Sequence, residues 1–148
     1  MRTIACIFLV LLINAMMMPV LAAGEDKYSY ITVKEVNITV ENEKAEVSID
    51  YSLDEGIRLL VWLLGSGDLK NKVLKIVNYE DARIKDIDME HAVIVVDNAS
   101  VAYGDGAYWL PEHSFSVTVP SVEVKTPQTV RRFNMTKGIP NGIGYFNP

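Results

Sequence analysis

The sequence predicts an α+β or mostly β domain, built as an antiparallel sheet or small β-sandwich with one packed amphipathic helix. The strongest observation is the strict alternation of apolar and polar residues from Lys44 to Asp54, which is typical of a strand with one buried face. Segments before and after it are rich in β-branched and aromatic residues, as strands are. Residues 69–77 instead place apolar side chains at helical spacing.

The first 22 residues are interpreted as a signal peptide. Arg2 precedes an apolar run from Ile4 to Leu21, and Ala22 supplies the small residue expected at a cleavage site. The alternative is an uncleaved anchor that extends to residue 23, since about 20 apolar residues span a bilayer. In both cases the acidic pair Glu25-Asp26 follows the apolar run. The remaining chain is therefore expected to be extracytoplasmic, either secreted or anchored to the outer face of the membrane.

Removal of residues 1–22 leaves 126 residues, which is the size of one domain. We predict a single β-rich domain over residues 23–137, followed by a loosely held Gly/Pro-rich tail over residues 138–148. Cys6 is the only cysteine, and it belongs to the leading segment. The mature chain is therefore expected to have no disulfide and no thiol nucleophile.

Charge is distributed unevenly along the chain. Residues 24–123 carry nine basic and 19 acidic side chains, whereas residues 124–148 carry four basic side chains and no carboxylate. The basic segment either lies across its own acidic body or contacts anionic headgroups or acidic glycans. Nucleic acid is not expected as a partner, because the chain is acidic overall and lacks a clustered basic face.

The first two strands are predicted to form a hairpin. Residues 28–40 are rich in β-branched and aromatic side chains, but their apolar positions change phase partway, which indicates a bulge near Lys34-Glu35. A polar turn over residues 41–43 then leads into the alternating segment Lys44 to Asp54.

Six successive apolar residues, Leu59 to Leu64, are predicted to form a strand buried on both faces, with Trp62 in the core. A short buried helix is the alternative, because periodicity does not distinguish the two. The amphipathic helix at residues 69–77 follows, with Ser66 or Asp68 as its N-cap.

An acidic segment from Glu80 to Glu90 is predicted to form an amphipathic strand. Its alternating carboxylates are interpreted as a solvated face, and a calcium site is the less favoured alternative. No metal is assigned, and the weak candidates for metal ligands are Asp86, Asp88, Glu90 and His91. Residues 91–97 are then predicted to form an apolar, central strand.

Residues 101–110 carry a turn signal, Gly104-Asp105-Gly106, between aromatic residues and are predicted to form a hairpin or irregular loop. Three of these aromatic side chains are candidates for a ligand platform on which a sugar stacks, although core or rim packing is the favoured explanation for them: Tyr103, Tyr108 and Trp109.

A strand from His113 to Val119 is predicted next. Its alternation changes phase at Pro120-Ser121, which indicates a bulge or a sheet edge, where proline is tolerated. Residues 128–133 are predicted to add a short edge strand.

Three sequons make Asn37, Asn98 and Asn134 candidates for N-glycosylation. Each is weak as a motif. Their positions on a polar strand face or after a strand end favour exposure.

No set of side chains specifies a reaction, so neither catalytic residues nor cofactors are assigned. The leading hypothesis is a non-catalytic exported envelope protein, either a binding module or an accessory subunit of a membrane assembly. Its expected partner is a membrane protein or an envelope glycan, and the membrane itself is contacted only through an uncleaved N-terminal segment. The alternative is a small extracytoplasmic hydrolase that uses His91 or His113.

Overall fold

A computed structural model describes residues 30–148 of the chain. The predicted signal peptide or anchor at residues 1–23 lies outside the described residues. Within the described part, nine strands and two helices follow in this order: β1 Ile31–Glu41, β2 Lys44–Leu53, α1 Glu55–Leu64, α2 Gly67–Val77, β3 Ala82–Ile87, β4 His91–Val96, β5 Val101–Gly104, β6 Ala107–Leu110, β7 His113–Lys125, β8 Val130–Ile139 and β9 Ile143–Phe146.

Two sheets make up most of the fold. A six-stranded sheet has the order β3-β4-β2-β1-β7-β8, and a three-stranded antiparallel sheet has the order β5-β6-β9. The predicted α+β class is confirmed. The finer prediction of an antiparallel sheet is wrong at one pairing, because β1 and β7 run parallel between Glu35 and Thr39. Parallel neighbours need a long crossover connection, and here the chain between β1 and β7 supplies both helices and five strands.

The core lies between the six-stranded sheet, helix α2 and the inner side of the small sheet. Alternate residues of β1, β2 and β4 point inward and are buried, including Ile38, Ile49 and Ile94. They share one buried cluster with four residues of α2 and three of the small sheet: Leu69, Val73, Ile76, Val77, Leu110, Ile143 and Tyr145. Burial of these apolar side chains makes the main favourable contribution to the stability of the fold.

The predicted bulge in the first strand is confirmed. Pairing of β1 with β2 shifts register between Val33 and Glu35. Because the bulge adds one residue, Val33 before it and Val36 after it both point inward and are buried. The hairpin turn is confirmed as well, and Asn42 adopts a left-handed conformation in it, with φ 54°.

Helix α2 matches the predicted amphipathic helix and buries the predicted apolar face. Ser66 occupies the N-cap position, but its side chain makes no capping hydrogen bond. The carboxyl end is held by β7: the Asn78 side chain donates to the Ser114 carbonyl at 3.0 Å, and the Ser116 hydroxyl donates to the Lys75 carbonyl at 2.6 Å. The last carbonyl groups of a helix have no hydrogen-bond partner within the helix, and these contacts lie at that end.

The prediction of a buried strand at Leu59 to Leu64 is wrong. These residues belong to helix α1, none of its residues is buried, and Trp62 is 72% exposed. An unbroken apolar run has no period that separates strand from helix. The acidic residue Glu55 in the first turn and Gly65 after the last favour the helix, because Gly65 has φ 89° and stops the chain from continuing it. No helix within residues 30–148 is long and apolar enough to cross a membrane.

The expected loose tail is also corrected. Strand β8 extends to Ile139, and β9 pairs with β6 from Ala107↔Phe146 to Leu110↔Ile143. Tyr145 is buried, and its hydroxyl donates to the Asn42 carbonyl in the β1–β2 turn. A strand that pairs with residues far away in the chain is invisible to local Gly and Pro content, which is why the composition of this segment misleads.

Candidate functional site

The outer side of the small sheet carries a group of exposed apolar side chains, here called the aromatic face: Val101, Tyr103, Trp109 and Phe146. Val101 pairs with Trp109, and Ala107 pairs with Phe146, so Val101, Trp109 and Phe146 project to the same side of the sheet. Tyr103 lies at a register shift in β5 and lines the same cavity as Trp109 and Phe146. Tyr103 is 72% exposed, Phe146 55% and Trp109 40%. Leu110, Ile143 and Tyr145 point to the opposite side and are buried in the core.

Glycines in β9 and before it determine how the Trp109 ring lies. A Cβ on Gly142 would lie 2.6 Å from Cζ2 of Trp109, and one on Gly144 would lie 3.5 Å from its Cε3. The indole ring therefore packs against main chain where other residues would carry a side chain. Trp109 nevertheless stays 40% exposed, so the ring is only partly covered.

A shallow cavity of about 500 Å³ lies on this side of the molecule. Its lining residues include five aromatic ones, of which Tyr103, Trp109 and Phe146 are exposed on the aromatic face: Tyr103, Tyr108, Trp109, Tyr145 and Phe146. Two nearby amide side chains are already engaged in hydrogen bonds: the Gln128 Oε1 accepts from the Phe146 backbone N–H at 3.1 Å, and the Asn147 Nδ2 donates to the Asn42 Oδ1 at 2.8 Å. The lining is therefore mainly aromatic, and the exposed Tyr103 brings a hydroxyl able to bond a ligand hydroxyl.

The structure places two of the three predicted platform residues, Tyr103 and Trp109, on the aromatic face. Tyr108 is half-buried and stacks on Tyr145 with ring centroids 5.5 Å apart, although it also borders the cavity. Consecutive residues of a strand point to opposite sides of the sheet, so the side chains of Tyr108 and Trp109 lie on different sides. Phe146 was missed, because its segment was interpreted as a tail.

A second cluster, absent from the sequence-based candidates as a unit, lies on the polar side of the six-stranded sheet. The Ser48 Oγ is 3.3 Å from Nε2 of His91, and Nδ1 of His91 is 2.5 Å from Oδ1 of Asp50. This is the order of groups in a Ser-His-Asp triad. An oxyanion site needs free donors, but Ser48 sits in a strand paired on both sides, opposite Asn37 and Val93, where the ladder uses the backbone N–H groups.

His113, the other histidine of the hydrolase hypothesis, is held in place by ring stacking and a hydrogen bond. Its ring stacks on Tyr79 with centroids 3.6 Å apart, and its Nε2–H donates to the Val77 carbonyl at 2.6 Å. Burial lowers the pKa of His113 below its ordinary value, and the hydrogen bond to Val77 opposes that shift. The neutral ring thus holds the end of α2 against β7. A cavity of about 310 Å³ adjoins this stack.

The four weak metal candidates do not converge. Oδ1 of Asp88 accepts the backbone N–H groups of Glu90 and His91, each at 2.7 Å, and these bonds lower the pKa of Asp88. Glu90 pairs with Arg58 at 3.1 Å. The predicted alternation is wrong for Asp88 and Glu90, because β3 ends at Ile87 and both lie in the connection to β4. Among residues 30–148, no three metal-ligating side chains form a group able to hold an ion.

The glycosylation candidates differ in accessibility. Asn98 is exposed and donates to Oδ2 of Asp81 at 2.9 Å, and Asn134 is exposed on the edge strand β8. Asn37 is half-buried within the sheet, between β2 and β7. We therefore expect Asn98 and Asn134 to be the more accessible acceptors.

The basic carboxyl-terminal segment is part of the sheet through β8. Nε of Arg132 contacts Oε2 of Glu123 in the neighbouring strand β7 at 2.6 Å. This contact pairs one of its cations with the acidic body, while Lys125 and Arg131 are exposed.

Comparison with known proteins leaves this geometry as the basis for function: the chain matches no family model, no curated protein and no solved structure.

Proposed function

We propose that this chain is a non-catalytic, extracytoplasmic binding module of the cell envelope that captures a glycan on its aromatic face. The observation that carries the proposal is the joint exposure of Tyr103, Trp109 and Phe146 on one side of the small sheet. Single exposed apolar residues are ordinary on protein surfaces, whereas a contiguous patch favours an interaction site.

Sugar rings suit such a surface for physical reasons. Their axial C–H groups carry partial positive charge and pack against the electron-rich face of an aromatic ring. Trp109 packs against glycine backbone and stays 40% exposed, so part of its ring is accessible to a ligand. The hydroxyl of the exposed Tyr103 would supply a hydrogen bond to a sugar hydroxyl.

Charge narrows the class of glycan. The chain has a formal net charge of −5, and residues 24–123 hold all 19 of its carboxylates. The net negative charge of the whole chain disfavours the approach of a polyanion. Neutral polysaccharides are therefore the favoured ligands.

The test is co-sedimentation of the purified protein with insoluble neutral polysaccharides and with envelope material from the producing cell. Tyr103→Ala and Trp109→Ala should each weaken binding about tenfold or more, as truncation of an aromatic anchor does. Val130→Ala is the matched control, since Val130 is 49% exposed on β8 and outside the aromatic face. Equal binding by all three variants would refute the proposal.

Hydrolysis is the second candidate function, and the Ser48, His91 and Asp50 distances favour it. Its test is labelling of the protein with a serine-reactive fluorophosphonate. The binding-module proposal predicts no labelling. Labelling that Ser48→Ala and His91→Ala both abolish would instead support a nucleophilic serine.

A further inference from the structure

Helix α1 exposes almost its whole length of apolar side chains. Its exposed large residues are Leu59, Leu60, Trp62, Leu63 and Leu64. Leucines four positions apart lie side by side on a helix, so Leu59 and Leu63 form one row and Leu60 and Leu64 another. Val61 is the residue that packs against the core. The helix is thus attached by one side and unpartnered within residues 30–148 on the other.

The amino-terminal end of the described chain lies beside the start of this helix. Ile31 pairs with Leu53, and the Asp54 backbone N–H, one residue before α1, donates to the Tyr30 carbonyl at 3.3 Å. The apolar run predicted as signal or anchor ends at residue 23, which leaves residues 24–29 as the connection. Six residues reach at most about 20 Å even when fully extended. An anchored segment would therefore hold α1 within this distance of the bilayer surface.

The composition around α1 suits the boundary between lipid and water. Trp62 has an apolar ring with one polar N–H, a combination enriched at the headgroup level. A helix of ten residues is about 15 Å long, too short to span a bilayer but suited to lying in its plane. Helix α2, which follows directly, exposes Lys70 and Lys75 and has one carboxylate, Asp68, while Lys72 lies over the Tyr30 ring at 5.0 Å. These cations would favour anionic headgroups.

We propose that α1 docks on the outer surface of a lipid bilayer, with its leucine rows in the acyl boundary and Trp62 at the headgroups. This proposal departs from the sequence-based expectation that only the N-terminal segment contacts the membrane. The docking orients the domain on the membrane, and it does not depend on which ligand the aromatic face binds.

The two tryptophans of the chain provide an internal comparison, because Trp62 lies on α1 and Trp109 on the aromatic face. The full chain is reconstituted with vesicles of brominated phosphatidylcholine containing about one quarter phosphatidylglycerol, since bromine quenches a nearby indole. The Trp109→Phe variant reports Trp62, and the Trp62→Phe variant reports Trp109. We expect at least about threefold stronger quenching of Trp62 than of Trp109, reflecting insertion of the leucine face.

A second pair of variants separates docking by α1 from retention by the N-terminal segment. Leu59→Asp and Leu63→Asp, in the Trp109→Phe background, should abolish quenching of Trp62 even where the protein stays on the vesicles. Val130→Asp, in the same background, should leave it unchanged. Quenching of Trp62 no stronger than that of Trp109 would overturn the proposal. A blue-shifted but unquenched Trp62 would also overturn it, because the helix would then be covered by protein.

Discussion

Replacing Gly142 by alanine should destabilise the fold and displace Trp109, whereas the same change at Gly144 should do neither. Gly142 has φ +58°, and a Cβ there would lie 2.6 Å from Cζ2 of Trp109 and 2.7 Å from the Leu110 carbonyl oxygen. At Gly144 the nearest atom would be 3.5 Å away, which is ordinary contact. Both glycines lie under the same ring, so they form a matched pair.

Two costs add at Gly142. A side chain in the left-handed region costs about 1–2 kcal/mol, and crowding a packed site costs about 1–3 kcal/mol more. The free energy of unfolding should therefore fall by about 2–5 kcal/mol, and Tm by roughly 10 °C or more for a domain of this size. Gly144→Ala should stay within about 0.5 kcal/mol of the parent protein.

Thermal unfolding followed by circular dichroism measures the stability difference. The emission of Trp109 in a Trp62→Phe background reports the ring directly and should change in Gly142→Ala alone. Equal Tm values for the two glycine variants, or an unchanged Trp109 spectrum in Gly142→Ala, would refute the described seating of Trp109 on the backbone.

Two further predictions concern the core. His113→Ala removes the donor to the Val77 carbonyl and should lower the free energy of unfolding by about 2–3 kcal/mol in urea. Because burial lowers the pKa of His113 in the folded chain, the unfolded chain takes up the proton at higher pH. The free energy of unfolding should therefore fall as pH drops below about 6.5, and His113→Ala should lose that component; an unchanged pH profile would contradict it. Tyr51→Phe removes the 2.6 Å hydrogen bond to the Asp88 carbonyl and should cost about 1 kcal/mol, and no measurable loss would argue against this bond.

Local patterns predicted the elements whose side chains alternate or recur regularly. The bulge in β1 followed from the phase change at Lys34-Glu35, and α2 followed from its apolar spacing. Helix α1 did not follow from a local pattern, because six apolar residues in a row have no period. Nothing in these six residues indicates that their side chains are exposed. Strand β9 depends on pairing with β6, a contact between distant residues.

The candidate sites, too, were predicted where local sequence determines them and missed where they depend on contacts between distant residues. Tyr103 and Trp109 were recognised from their aromatic character, but strand alternation would already have separated Tyr108 from Trp109. The contacts of His91 with Ser48 and Asp50 follow from the register of β2 with β4, which local sequence does not specify. The sequence did predict the polar side of β2, where Ser48 and Asp50 alternate with buried residues.

The most direct measurement of the central claim is the emission of Trp109, in a Trp62→Phe background, as neutral oligosaccharides released from the envelope are added. Ligand stacking on the exposed part of the ring should produce a saturable change, and Tyr103→Ala should shift its midpoint to about tenfold higher concentration. No change in Trp109 emission at any concentration, or a change that Tyr103→Ala leaves unaltered, would contradict glycan binding on the aromatic face.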